Sequence, residues 1–143
     1  MDLGFIRSHR RRSTSLSPGS GGAWACRYNS RMPDLPASAL IVHCTCPDAA
    51  TADLLALALV SERLAACVSV LPGVRSTYRW HGQIERADEV LLLIKTNGDR
   101  LDSLCARVQA LHPHELPEVL AVEAVGGLAP YLDWVTEQTR DHD

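Results

Sequence analysis

Aromatic residues are scarce in this chain of 143 residues, which has three Trp, three Tyr and one Phe. So few aromatic side chains disfavour a protein that stacks nucleic-acid bases. Long hydrophobic runs are also missing, because no window approaches 18 uncharged apolar residues, and this excludes a transmembrane helix. The five cysteines are odd in number and include no CxxC pair, so neither a disulfide scaffold nor a zinc finger is indicated.

Catalytic motifs are missing as well. The sequence contains no GxSxG, Walker A, GxGxxG or HExxH motif, and no convincing Cys-His-Asn/Asp order. No set of residues indicates a covalent reaction. We therefore predict a protein that is not an enzyme.

Charge is distributed unevenly along the chain, whose formal net charge is -3. Residues 1–31 carry six Arg and one acid, for a net charge of +5, which leaves −8 on residues 32–143. A body of that charge repels phosphate backbones and is compatible with cations. We predict no nucleic-acid partner and no membrane partner.

The first 37 residues are rich in Ser, Arg, Gly and Pro and show no sustained period of 2 or 3.6. This composition predicts a disordered basic tail at 1–37, or a start assigned too early before Met32, and one folded domain at 38–143. The tail has no continuous apolar stretch of the kind that secretory signals contain, so a cytoplasmic location is expected. An organelle transit peptide and a basic interaction arm stay open as alternatives.

Periodicity in residues 38–143 predicts the order βαββαβ followed by a short terminal helix. Asp48 is the expected N-cap of the first helix, and His81-Gly82 is the expected turn of a long hairpin that bends at Pro72-Gly73. The apolar run 90–94 predicts burial on both faces of its strand. The predicted strands are 39–46, 66–80, 83–96 and 118–125, and the predicted helices are 48–64, 98–111 and one around 131–135.

This order predicts an α+β fold of the ferredoxin-like kind, with a four-stranded antiparallel sheet and helices on one face. The other face would have no helix from this chain, and the hairpin is longer than the domain needs. Because exposed apolar strand surface tends to be covered, we predict a homo-oligomer.

Several motifs in series resemble the CutA family, the divalent-cation tolerance proteins. They are ERLAACVSVLPGVRSTYRWHGQIE, EVLLLIKT, HPHELPEV and YLDW, with TCPD after the first strand, and they cover roughly residues 38–140. The resemblance implies a ferredoxin-like fold, a tight homotrimer and a link to copper and other divalent cations. At the level of fold, it also implies a likeness to PII-type signal proteins.

The resemblance implies a metal site at Cys44 and at a His pair before the Pro of the HP motif. Of that pair only His112 matches, since Leu111 stands at the preceding position. His114, where the family more usually has Tyr, adds a further ligand. A thiolate with imidazole nitrogens suits copper or zinc, so Cys44, His112 and His114 are the predicted metal ligands. The alternative for Cys44 is a small buried hydrophobic residue.

Cys46 lies two residues beyond Cys44 and projects from the same strand face. The pair can chelate a soft metal, but packing against the first helix is favoured for Cys46. At the hairpin tip, Tyr78 and Trp80 are interpreted as interface anchors. Glu85 and Lys95 are candidates for a pair across strands or between subunits.

Two hypotheses follow for the function. The first is a homotrimer of the CutA type that contributes to copper tolerance or metal response by binding the ion. The alternative is a PII-like signalling or scaffold trimer that binds a small ligand or a protein partner at clefts between subunits. An enzyme that uses Lys95 and Glu85 in such a cleft is a third, weaker hypothesis.

Overall fold

The elements follow the predicted order in the structure, a computed structural model that describes residues 38–141. The tail predicted at 1–37 lies outside the described residues, as do residues 142 and 143. A 3₁₀ turn, Gly98–Arg100, precedes the second helix. The elements are β1 (Ala39–Cys46), α1 (Ala49–Ser61), β2 (Cys67–Trp80), β3 (Gln83–Asn97), α2 (Leu101–Leu111), β4 (Leu120–Glu123) and α3 (Ala129–Gln138).

The four strands form one antiparallel sheet in the order β2-β3-β1-β4. β1 pairs along its whole length with the second half of β3, with Cys44 opposite Leu92 and Cys46 opposite Val90. An antiparallel sheet with α-helices confirms the α+β class. It also places β1, which carries both candidate thiols, in the middle of the sheet.

Side chains alternate along β1, so that every second residue enters the core. Cys44 and Cys46 are both fully buried on this inner face, and α1 and α2 pack over it. Burying these side chains removes apolar area from water, which is the main stabilising contribution to the fold. The largest core side chains are Val42, Leu55, Leu59, Leu92, Ile94, Leu104 and Val108.

Helix α1 begins where predicted, because the Asp48 side chain accepts a hydrogen bond of 2.7 Å from the backbone N–H of Thr51. It ends at Ser61 and not near residue 64. Arg63 adopts a φ of 56°, and such a left-handed residue stops a helix. Leu54 and Leu57 are 52% and 70% exposed, so the outer side of α1 is open to solvent in the single chain.

The hairpin of β2 and β3 extends well beyond the rest of the sheet. Residues 74–89, which we call the arm, pair only with each other among the described strands, whereas β1 pairs with β3 from Val90 onward. The strand register shifts between Leu71 and Val74, as Pro72-Gly73 predicted. The tip is the predicted two-residue turn, with φ of 47° at His81 and 78° at Gly82.

Three expectations about packing were wrong in detail. The run 90–94 alternates between buried and half-buried residues, because helices from this chain cover only one face of β3 there. The other face is not bare along its whole length, since Asn97 donates a hydrogen bond of 2.7 Å to Thr139 and ties α3 to the strand end. β4 spans four residues and not eight.

The late start of β4, at Leu120 and not at residue 118, has a physical cause in the main chain of β1. The Ala39 carbonyl accepts a hydrogen bond from Ala124 beside β4, and the Thr45 carbonyl faces the same edge because it is an even number of residues further on. The Thr45 carbonyl oxygen accepts a hydrogen bond of 2.8 Å from Nε2 of the His112 imidazole, and not from the backbone of a strand residue. A side chain thus replaces the ladder at the end of β1 where the thiols lie.

Candidate metal centre

Three donor residues meet where the end of β1 contacts the end of α2. Cys44, Cys46 and His112 each offer one ligand atom, and these atoms all lie within 4.8 Å of one another. All three residues are buried, and His112 is the most exposed at 7%. The group combines two sulfur donors and one nitrogen donor in a site almost closed to solvent.

The backbone around Pro113 directs the His112 ring toward β1. Helix α2 ends at Leu111, and His112 turns to an extended conformation with φ of −76° and ψ of 136°, which residues preceding a proline favour. The Nε2 atom lies 2.8 Å from the Thr45 carbonyl oxygen, and Nδ1 accepts a hydrogen bond of 3.1 Å from the backbone N–H of His114. In the neutral ring Nε2 therefore donates and Nδ1 accepts, so a metal ion would have to displace one of these bonds.

The two thiols influence each other's pKa. A hydrogen bond between them raises the pKa of Cys44 far above its ordinary value and lowers the pKa of Cys46 to about 6. Burial further raises the pKa of Cys44. Burial also opposes the lowering of the pKa of Cys46, whereas a hydrogen bond with His112 adds to that lowering. The interaction between the two groups therefore favours loss of the proton from Cys46 before Cys44. The thiolate is the form of cysteine that binds metals.

His112 and two acids complete the electrostatics of the site. Burial alone would lower the pKa of His112, but the Cys46 thiolate and the Thr45 carbonyl together raise it. The negative charges of Glu118 and Glu89 add to the rise in the pKa of Cys44. Glu89 is 8% exposed, so a carboxyl group is held largely out of water near the thiols.

The donor set fits a soft or borderline metal ion. Two thiolates and an imidazole suit copper or zinc, whereas Mg²⁺ and Ca²⁺ prefer oxygen ligands. With metal–sulfur bonds of about 2.3 Å, tetrahedral ligands lie about 3.8 Å apart, and ligands in linear coordination lie about 4.6 Å apart. A group of donors within 4.8 Å therefore needs little movement to bind such an ion.

The structure brings together two of the three predicted ligands. Cys44 and His112 lie in the donor group, and Cys46, which was interpreted as a packing residue, joins them. The spacing C-x-C on one strand face was the signal for Cys46. His114 lies beside the group, with its ring 4.8 Å from the ring of His112, but contributes no atom to it. Glu89 was not singled out, because burial of a strand carboxyl group depends on the fold.

Other candidate residues lie elsewhere. Lys95 donates hydrogen bonds to the Ser69 hydroxyl at 2.6 Å and to the Leu93 carbonyl at 3.1 Å. Glu85 is opposite Tyr78 in the arm and ten residues from Lys95 along β3, or about 33 Å at the usual rise of a strand. The expectation that Glu85 and Lys95 pair across strands is therefore wrong within one chain.

An open groove of about 400 Å³ lies at the root of the arm. Its lining includes Pro47, which follows Cys46 in the chain, and Val90, which is the β3 partner of Cys46 in the sheet. Glu89 and the exposed pair Arg75–Asp88 complete most of the remaining wall. The groove therefore reaches to within one residue of the thiols and presents both signs of charge.

The fold and the site define a class, namely small α+β proteins with a buried thiol and imidazole group beside a long hairpin. The family of the CutA1 divalent ion tolerance protein matches residues 40–138, and the chain belongs to this family. None of the helices between residues 38 and 141 has the length and hydrophobicity needed to cross a membrane.

Individual relatives agree with this assignment. The divalent-cation tolerance protein CutA of Thermus thermophilus is 46% identical over 99 residues, which cover 69% of this chain and 96% of that protein. The chloroplastic protein CutA 1 of Oryza sativa is 36% identical over 141 residues, covering 99% of this chain and 74% of that protein. The crystal structure of CutA from Xylella fastidiosa matches with a TM-score of 0.70 at 46% identity, covering 72% of this chain and 99% of that one.

Proposed function

We propose that this protein contributes to copper tolerance or to the response to divalent cations by binding the metal ion, without catalysis. The observation that carries the proposal is the buried group of Cys44, Cys46 and His112, whose donor atoms lie within 4.8 Å of one another. Family membership supports a role with divalent cations, and the donor chemistry supports copper among them.

The ligand set in this proposal has a fixed part and an adjustable part. Cys44 and His112 supply a sulfur and a nitrogen from two elements that the core holds in place. His114 is the proposed outer ligand, because its ring adjoins His112 and is exposed on the loop, where it can turn toward a bound ion. Binding of an imidazole nitrogen to the ion would replace one backbone hydrogen bond of His112.

The working unit in this proposal is a homotrimer built on the ferredoxin-like arrangement. Its support is the apolar surface that a single chain leaves open on the arm and on the edge strand β4. Ile84 in the arm is 59% exposed, and Leu120 in β4 is also 59% exposed. Copies that cover these surfaces would remove apolar area from water and leave no free sheet edge.

We place the protein in the cytoplasm, because thiol ligands require a reducing compartment. A relative named chloroplastic gives the alternative, a plastid location, which is also a reducing one. Imaging of the full chain with a C-terminal fluorescent tag distinguishes the two. Fluorescence confined to an organelle would overturn the cytoplasmic assignment.

Metal analysis of the full chain, purified without a metal-binding tag, tests the proposed function. We expect about one copper ion per chain after loading with copper and desalting, and a loss of that copper in Cys44→Ala and in His112→Ala. Cys67→Ala is the matched control, because Cys67 is a free, half-buried thiol on β2 outside the donor group. Equal copper in all four proteins would show that the binding is adventitious.

A second candidate function is a PII-like trimer that binds a small ligand or a protein partner at clefts between subunits. The groove at the root of the arm favours it, since Arg75, Asp88 and Glu89 offer charges of both signs beside an apolar wall. A screen for ligand-induced shifts in melting temperature, with metal ions in one arm and nucleotides in the other, separates the candidates. A shift with nucleotides only would favour this second function.

A further inference from the structure

The second thiol of this chain changes which ion the site suits best. Cys44 and Cys46 occupy alternate positions of β1, so both sulfur atoms project from the same face into the core. Both residues are fully buried, and both thiols are free. A pair of free thiols in a closed site needs an explanation beyond packing, because one small apolar residue could fill either position.

The strand geometry prevents these two thiols from joining as a disulfide. Alternate residues of an extended strand have Cβ atoms about 6.6 Å apart, whereas a disulfide needs about 3.5 to 4.5 Å. β1 cannot bend to close that gap without breaking its pairing with β3 at Leu92 and Val90. The strand therefore holds the two sulfurs apart as separate ligands, and an ion bound between them can bridge the distance.

The number and the reach of the donors favour low coordination. Within residues 38–141 the donor group has three members, whereas structural zinc sites use four protein ligands. The site is nearly closed to solvent, so water is a poor substitute for a fourth ligand. The three ligand atoms lie within 4.8 Å of one another, so they can bind one ion together without a fourth protein ligand.

We propose that Cys44 and Cys46 bind copper as Cu(I), with His112 as a third ligand, in preference to a divalent ion. Soft thiolate ligands suit Cu(I), which accepts two or three ligands, whereas a structural Zn(II) site uses four protein ligands. The inference rests on the proposed metal-binding function and specifies the oxidation state of the ion. It also makes Cys46 a ligand, in addition to Cys44 and His112, to which the family resemblance pointed.

The groove at the root of the arm is lined by Pro47, which follows Cys46, and by Val90, which pairs with it. Glu89 lines the same groove and contributes negative charge near the thiols. The groove therefore places a carboxylate among the residues that adjoin Cys46, on the side from which we expect the ion to approach.

Anaerobic titration of the full chain with Cu(I), in competition with a chromophoric Cu(I) chelator, tests the inference. We expect Cys46→Ala to weaken Cu(I) binding by about tenfold or more, since loss of a direct ligand should cost at least as much as the 10–100-fold typical of outer-shell changes. Cys67→Ala should bind like the parent chain. In a parallel titration, the parent chain should bind Zn(II) more weakly than Cu(I). The preference for Cu(I) over Zn(II) should be smaller in Cys46→Ala than in the parent chain.

The outcomes separate this inference from the proposed function. If Cys46→Ala binds Cu(I) like the parent while Cys44→Ala and His112→Ala lose metal, the inference is overturned and the proposed function stands. If the parent binds neither Cu(I), Cu(II) nor Zn(II), both are overturned. Cys46→Ser, which keeps the side-chain volume close to that of Cys, repeats the measurement should Cys46→Ala fail to fold.

Discussion

The imidazole of His112 donates a hydrogen bond to the Thr45 carbonyl at 2.8 Å and so occupies the position that a residue of β4 would otherwise take. This bond joins the loop after α2 to the central strand β1. It also holds the ring against Cys46, which lies next to Thr45 in the strand. One side chain therefore ends a sheet ladder and supplies a donor to the candidate metal centre.

The first prediction concerns this bond in the metal-free protein. His112→Ala removes the donor and leaves a poorly solvated carbonyl without a partner, so we expect the free energy of unfolding to fall by about 1–3 kcal/mol. His112→Gln should recover part of that loss, because its amide N–H₂ can donate from a similar position. Urea denaturation in the presence of a chelator measures both. Equal losses in the two variants would mean that the bond to Thr45 does not stabilise the fold.

The second prediction concerns the cap of α1. Asp48→Ala removes the bond to the Thr51 N–H and should cost about 1 kcal/mol, whereas Asp48→Asn should cost little. The backbone and side chain of Thr51 lower the pKa of Asp48, so its charged form is favoured in the folded state. The charge therefore stabilises the protein above the ordinary carboxyl pKa of about 3.9, and this contribution is lost as the pH falls through the lowered value.

Thermal melting of the Asp48 variants between pH 3 and pH 7 provides the check. The difference between the parent chain and Asp48→Asn should shrink on acidification. A difference that grows as the pH falls would show the opposite sign of linkage and would contradict the assignment of Asp48 as a charged cap.

The third prediction concerns the tip of the arm. His81 and Gly82 both have positive φ, which matches a type I′ turn, and Asn-Gly is the favoured pair there. His81→Asn should raise stability by a few tenths of a kcal/mol, and Gly82→Ala should lower it by about 1 kcal/mol because alanine disfavours a φ of 78°. Chemical denaturation of both variants measures this. Stabilisation by Gly82→Ala would contradict the turn assignment.

The fourth prediction compares two leucines of α1. Leu55 is fully buried and Leu57 is 70% exposed. Leu55→Ala should cost 2–5 kcal/mol through lost burial and cavity formation, whereas Leu57→Ala should stay within about 0.5 kcal/mol. A comparable loss in both variants would show that another surface covers the outer side of α1 in the assembled protein.

Much of the fold could be predicted from local patterns in the sequence. The alternation of β1, the cap at Asp48, the bulge at Pro72-Gly73 and the turn at His81-Gly82 each depend on a few neighbouring residues. The start of β4 could not be predicted, because it depends on the hydrogen bond from the His112 ring to the Thr45 carbonyl, which lies 67 residues away in the sequence.

The candidate site divides in the same way. The resemblance to the family pointed to Cys44 and His112 as metal ligands, and the spacing of Cys44 and Cys46 left chelation by both thiols open. Packing statistics favoured Cys46 as a core residue, since its role depends on where α2 ends in space. His114 was placed among the ligands by its loop composition, but in the structure its backbone N–H donates to His112 and its ring contributes no atom to the donor group.

Native mass spectrometry of the full chain loaded anaerobically with copper tests the central claim most directly, because it reports assembly and metal content together. The account predicts one species at about three times the 15.6 kDa chain mass, with one copper ion per chain, and a metal-free species of the same assembly for the double variant Cys44→Ala/His112→Ala. A copper content that is unchanged in the double variant would contradict the account.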